Sequence, residues 1–158
     1  MSSTVLKAIS FALIGLVNTA VDFVVFTAAR WALLSWPVAI GAIGWAVDAC
    51  HCGNPHTATL ILANTISWSV AVSGSYVMNS RLTFAAESGG KLKLASYGMF
   101  LASGVVGYLA NTATLVVAAL FLPDLVAKGC AILVSFVVNF SMSHFVVFRR
   151  RPAVEEVR

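Results

Sequence analysis

The chain has 158 residues, 59% hydrophobic and only 10% charged, with a formal net charge of +4. Soluble domains carry roughly a quarter charged residues, so this chain lacks the polar surface that water requires, and its mean hydropathy of +0.91 makes lipid the expected solvent. The positive balance does not point to nucleic acid, because the cations gather at the ends of apolar stretches and form no basic face.

The first apolar stretch runs from Ile9 to Leu34 behind Lys7. It is too long for a signal-peptide core of about 7–15 residues and reads as a retained helix. An extracytoplasmic loop over 35–59 follows. Its segment Pro37 to Cys50 is apolar but too short to span, and it suits an interfacial or re-entrant position. The second stretch is Leu60 to Phe84. A cytoplasmic linker over 85–94, with Glu87, Ser88, Gly89, Gly90, Lys91 and Lys93, separates it from the third, Ala95 to Leu122. Pro123-Asp124 makes a tight turn into the fourth, Val126 to Phe148, and a basic tail over 149–158 closes the chain. Each stretch passes the ~18-residue criterion for a membrane helix, and each is too long and too apolar on all sides for a barrel strand of about ten alternating residues. The fold expected is an all-α integral membrane protein, a single domain of four transmembrane helices.

Orientation follows from the cations. With the N-terminus in the cytoplasm, that side holds Lys7, Arg81, Lys91, Lys93, Arg149, Arg150, Arg151 and Arg158, and the opposite side only Arg30 and Lys128. That is the positive-inside pattern, with both termini cytoplasmic.

The four helices form two related hairpins. Asn18-Thr19-Ala20 in the first returns as Asn111-Thr112-Ala113 in the third. The ends of the second and fourth also align, Tyr76-Val77-Met78 through Phe84 with Phe140-Ser141-Met142 through Phe148. Such repeats are common in transporters. Two-helix units would share one orientation, related by an axis along the membrane normal, and the first loop is the enlarged part of the first copy.

Polar residues inside the spans carry the functional signal. Asp22 lies mid-span with Asn18 one turn before it. A mid-membrane carboxylate costs at least ~2.5 kcal/mol and faces the bundle interior. It reads either as a contact to a proton, cation or polar substrate, or as a hydrogen-bonded tie between helices. Rows of four-residue spacing run through Ser67, Ala71, Ser75 and Asn79, through Ser103, Gly107 and Asn111, and through Ser135, Asn139 and Ser143. They are helix-packing seams, with Gly107, Ser75 and Ser135 the closest points, and a seam of this kind can also enclose a polar pathway. Arg81 sits by Asn79 at the cytoplasmic end, where a guanidinium either captures phosphate or anchors the helix. Cys50-His51-Cys52 with His56 has the wrong spacing for zinc, and the thiols oxidise readily outside the cytoplasm. No metal, cofactor or catalytic motif is expected, so the chain reads as a non-enzyme.

Three segments carry a family resemblance. Ile14-Gly15-Leu16-Val17-Asn18-Thr19-Ala20-Val21-Asp22-Phe23 resembles the opening motif of the GtrA-like family. Tyr76-Val77-Met78-Asn79-Ser80-Arg81-Leu82-Thr83-Phe84 resembles its second-helix signature, and Val138-Asn139-Phe140 with Phe148-Arg149 its fourth-helix ending. The resemblance implies a small bacterial inner-membrane protein of cell-surface polysaccharide synthesis that flips a polyprenyl-phosphate-linked sugar. Carried over by position, Asn18, Asp22, Asn79, Arg81 and Asn139 become substrate residues, joined by Asn111 from the repeat. Two departures stand out: Ser80 separates Asn79 from Arg81, and Ser143-His144-Phe145 replaces a second Asn-Arg pair. Four helices enclose little volume, so a homodimer or a complex with a glycosyltransferase is expected. The alternatives are a non-transporting scaffold for that glycosyltransferase and a proton-coupled small-molecule exporter that depends on Asp22.

Overall fold

A computed structural model describes residues 3–83, 85, 89 and 91–142. Within them the chain is helical throughout: α1 Ser3–Ser35, α2 Pro37–Cys50, α3 Pro55–Met78, a π-helical turn Asn79–Thr83 that extends α3, α4 Leu94–Ala118 and α5 Asp124–Met142. No strand occurs among the described residues.

The helix boundaries follow local chemistry. Pro37 and Pro55 each occupy a first helical turn, where a missing N–H costs nothing. Asn54 caps α3, its side-chain oxygen accepting the Thr57 N–H at 2.8 Å. That cap starts α3 at Pro55, five residues ahead of the apolar stretch read from the sequence. α2 ends at His51, whose φ of 53° is left-handed and whose N–H returns to the Val47 carbonyl. Cys50 and Cys52 are joined by a disulfide across that corner. α4 stops at Ala118, short of the expected Leu122. The chain tightens there, Leu120 bonding Val117 and Phe121 bonding Ala118, because Pro123 disfavours a helical conformation in the residue before it.

Three helical stretches, Ala12–Ser35, Pro55–Thr83 and Leu94–Ala118, are long and apolar enough to cross a membrane. The fourth expected span coincides with α5, of which Asp124–Met142 is described; its end and the basic run Arg149–Arg151 lie outside the described residues, as do Phe84, Glu87 and Ser88 of the linker. Large apolar side chains cover the outside, among them Leu16, Trp31, Leu94, Phe121 and Phe136. A surface of this kind calls for lipid contact. Serines and threonines on it satisfy their hydroxyls inside their own helix: Thr19 donates to the Gly15 carbonyl and Ser69 to the Thr65 carbonyl.

α1 packs along α3 and α4 along α5, the two most extensive seams, and α3 packs against α4 to join the pairs. α1 meets α5 only sparsely. Successive contacts run in opposite directions along each pair, so neighbours are antiparallel. Phe26, Leu60, Ala63, Leu115, Ala127 and Ala131 form a closed apolar core, with at least one residue from each long helix. Three alanines in that set let the backbones approach closely. α2 packs on α1 and α3 through Ile43 and Val47, and leaves Trp45, Val38 and Ile40 exposed.

Candidate functional site

Directly beneath the apolar core, α1, α3, α4 and α5 each contribute to one polar cluster. Lys128 of α5 is fully buried, and its ammonium lies 2.6 Å from Asp22 Oδ2 on α1. The same ammonium donates to Asn64 Oδ1 at 2.7 Å. The Phe26 ring centroid is 5.0 Å away, adding a cation–π contact. Ser67 Oγ donates to the other Asp22 oxygen at 2.6 Å, and Asn64 Nδ2 donates to Thr112 Oγ1 at 2.9 Å. Each buried charge therefore has an opposite charge and a second hydrogen-bond partner, the condition under which a low-dielectric interior tolerates ions.

A second ionic group lies at the loop end. Asp124, at the start of α5, accepts from Arg30 Nε at 2.6 Å and pairs with Arg30 Nη2 as well, and His56 Nε2 sits 3.2 Å from the same carboxylate. Burial pushes the Asp124 carboxyl up, but the hydrogen bonds and charges of Arg30 and His56 together outweigh it and hold the group below its ordinary value. Eight residues along α1 separate Arg30 from Asp22, about 12 Å at helical rise.

The residues read from the sequence as one substrate site do not all come together. Asp22 belongs to the cluster. Asn111 donates to Ser135 Oγ at 3.4 Å, tying α4 to α5 beside the buried Gly107. Asn79 lies at the far end, buried in the π-helical turn, donating to the Ser75 carbonyl at 2.9 Å and to Ser75 Oγ at 3.3 Å. Arg81 is exposed. It lies fourteen residues past Ser67, about 20 Å along the helix, so Arg81 and Asp22 cannot hold one phosphate together. The wider π turn buries Asn79 and Thr83 and turns Arg81 outward. Asn139 has its backbone in α5, with its side chain outside the described residues.

Among the described residues, two buried acceptors stand without a hydrogen-bond partner: the side-chain oxygens of Asn18 and Asn79. The Asn79 amide is oriented by its donations to Ser75, so its oxygen is committed to the other side.

Lys128 is the residue that the sequence reading misplaced. Counted as an extracytoplasmic cation because it begins the fourth apolar stretch, it instead lies inside the bundle. The available signal was the pairing itself: an acid mid-way along one span and a base one turn inside another require each other in lipid. The aromatic ties between α3 and α4 were likewise missed. Tyr108 shares a hydrogen bond with Thr65 and Tyr97 with Ser73, each at 2.7 Å. Tyr76 donates to the Lys93 carbonyl at 2.8 Å and accepts the Lys93 N–H.

A family model described as GtrA/DPMS, transmembrane domain, matches residues 10–148. The chain belongs to the GtrA/DPMS family. Membership places it among membrane proteins of polysaccharide and glycan synthesis, a family whose domains are generally non-catalytic. Neither the curated proteins nor the solved structures contain a match to it. The match begins at Ser10 and ends at Phe148, so both ionic groups and Asn18, Asn79 and Arg81 all lie inside the family domain.

Proposed function

We propose that this GtrA/DPMS domain moves a polyprenyl-phosphate-linked sugar across the bacterial inner membrane. In this reading it is a bundle of four spanning helices arranged as two related hairpins, with both termini cytoplasmic. The observation that carries the reading is the pair of unpartnered buried amide oxygens on Asn18 and Asn79. A buried acceptor left unmade costs about 1–3 kcal/mol, and a sugar is a dense source of hydroxyl donors. Asn18 lies one turn from Asp22, and Asn79 lies two residues from Arg81. The acceptors thus stand between the cytoplasmic cations Arg81, Lys91 and Lys93, which suit a phosphate, and the charged cluster deeper in the bundle. The polyprenyl tail stays in lipid while the sugar passes along this column, with Asn111, Ser135 and Asn139 on its second side. A second copy or a glycosyltransferase supplies the wall that four helices lack.

A scaffold for a polyprenyl-phosphate glycosyltransferase is the second reading, and one observation favours it: Asp22, Asn64, Ser67 and Lys128 satisfy one another inside the chain, as structural ties would. The test reconstitutes the purified protein in vesicles with a fluorescent polyprenyl-phosphate sugar and follows its accessibility in each leaflet. Flipping by the wild type that falls severalfold in Arg81→Ala and in Asn79→Leu supports translocation. Well-folded wild-type protein that moves nothing overturns it in favour of the scaffold.

A further inference from the structure

The four seams among the long helices are not equivalent. Those within the two hairpins are extensive, and the α3–α4 seam is tied along its length by Asn64–Thr112, Thr65–Tyr108, Ser73–Tyr97 and Tyr76 with the Lys93 backbone. Ring contacts reinforce it, with Trp68 and Tyr108 centroids 4.7 Å apart and Tyr76 and Tyr97 centroids 5.2 Å apart. Between α1 and α5 the described contacts are few. Apart from the seat of Phe26 in the apolar core, that seam is closed by two ion pairs, Asp22–Lys128 and Arg30–Asp124. Each pair joins one hairpin to the other. In each, a cation is covered by a carboxylate, and the two pairs stand about 12 Å apart along α1 and about 6 Å apart along α5.

We propose that the α1–α5 seam is a lateral gate in which Lys128 and Arg30 successively hold the phosphate of a lipid-linked headgroup, and that Asp22 and Asp124 occupy those cations while the gate is shut. The inference rests on the translocation reading above and adds to it where the phosphate sits and where the lipid enters.

Three physical points lead there. A seam closed by charges opens when another anion satisfies the cations, whereas a seam closed by packed rings opens only by exposing them. Removing one partner of a buried pair leaves an uncompensated charge, which is strongly unfavourable. A phosphate brings its own negative charge and acceptor oxygens, so Lys128 keeps an anionic partner through the exchange, and the displaced Asp22 carboxylate, the more exposed of the two, carries the cost of the added charge. The exposures also have the right order. The Asp22 side chain is 16% exposed and that of Lys128 is 1%, so an anion arriving through the seam meets the carboxylate as the outer partner. Displaced Asp22 retains the Ser67 hydroxyl, and Lys128 retains Asn64. Because the seam faces the bilayer, the isoprenoid tail never has to leave lipid.

The experiment measures binding of a polyprenyl phosphate to the full chain in nanodiscs, beside the matching polyprenol and inorganic phosphate, and repeats the flipping assay on the same preparations. The variants are Lys128→Gln, Asp22→Asn and the double Asp22→Asn/Lys128→Gln, which leaves no buried charge and keeps the fold if a single variant does not. The expected result is binding that requires both phosphate and tail. It weakens at least tenfold in Lys128→Gln and in the double variant, and tightens at least threefold in Asp22→Asn, because the competing carboxylate is gone. A purely structural pair would weaken binding in both single variants. Equal binding of polyprenol, or equal binding of inorganic phosphate, overturns the lipid-phosphate gate. Wild-type affinity in the double variant, with flipping intact, overturns the gate alone and leaves translocation standing. Wild-type protein that neither binds nor flips overturns both.

Discussion

Replacing Lys128 with methionine keeps an unbranched side chain, one heavy atom shorter, and removes its charge. In the native bundle the ammonium has Asp22 at 2.6 Å, Asn64 at 2.7 Å and the Phe26 ring beneath it. The substitution leaves Asp22 with the Ser67 hydroxyl alone, in a seam where its side chain is 16% exposed. Breaking a buried pair from one side costs about 3–5 kcal/mol, and the partial exposure of Asp22 places the loss at the low end, about 3 kcal/mol. Asp22→Asn strands Lys128 instead and costs a similar amount. The double Asp22→Asn/Lys128→Met removes both charges and retains an amide beside Ser67, and it is expected within about 1 kcal/mol of wild type. Two singles near 3 and a double near 1 give a coupling of roughly 5 kcal/mol, above the ordinary range for contacting residues of about 0.5–3, as a pair built on a fully buried cation would produce. The assay is reversible unfolding in mixed detergent micelles, followed by tryptophan fluorescence and circular dichroism. Single variants whose effects simply add in the double would refute the reasoning, because additivity means that the two charges do not depend on each other.

Three further outcomes follow from the same contacts. Asp124→Asn should lower stability at neutral pH by no more than about 1 kcal/mol, since Arg30 and His56 are partly exposed. Because the folded carboxyl titrates below its ordinary value, its contribution is complete above that value and lost as pH falls through the folded one; unfolding of wild type and variant should therefore converge in acid. Tyr76→Phe removes the hydroxyl that bonds both polar groups of the Lys93 backbone, at the start of α4; a loss of about 1 kcal/mol is expected, with faster amide exchange confined to the first turn of α4. Gly104→Ala should change stability by less than about 0.5 kcal/mol, because the added Cβ meets only the Trp68 ring edge at 3.6 Å, whereas Gly104→Leu should loosen the α3–α4 seam and be read out as a lower unfolding midpoint.

Much of the architecture was legible because lipid leaves a chain few choices. An apolar run of twenty or more residues must become a helix to satisfy its own backbone, so the three long spans and the short helix Pro37–Cys50 are written in composition and in the positions of Pro and Gly. The site was legible only in part. Asp22 is conspicuous as an acid in an apolar run, with Asn18 one turn before it, and Asn79 sits on a regular four-residue row. Lys128 was not conspicuous, because one turn from a helix end a lysine reads equally as an interfacial anchor.

The sequence by itself determined that the chain belongs in a membrane, which segments are helical, and that an acid such as Asp22 had to face inward. Those properties depend on each segment's own side chains and on the solvent around it. Only the tertiary structure decided that Lys128 answers Asp22, that Arg30 and His56 share Asp124, and that Arg81 stands about 20 Å from the acid it was grouped with. Pairings between helices depend on how each helix is rotated and how far it is shifted against its neighbour. Those two variables are fixed by the packing of Phe26, Ala127 and Ala131 in the core, which no single helix encodes.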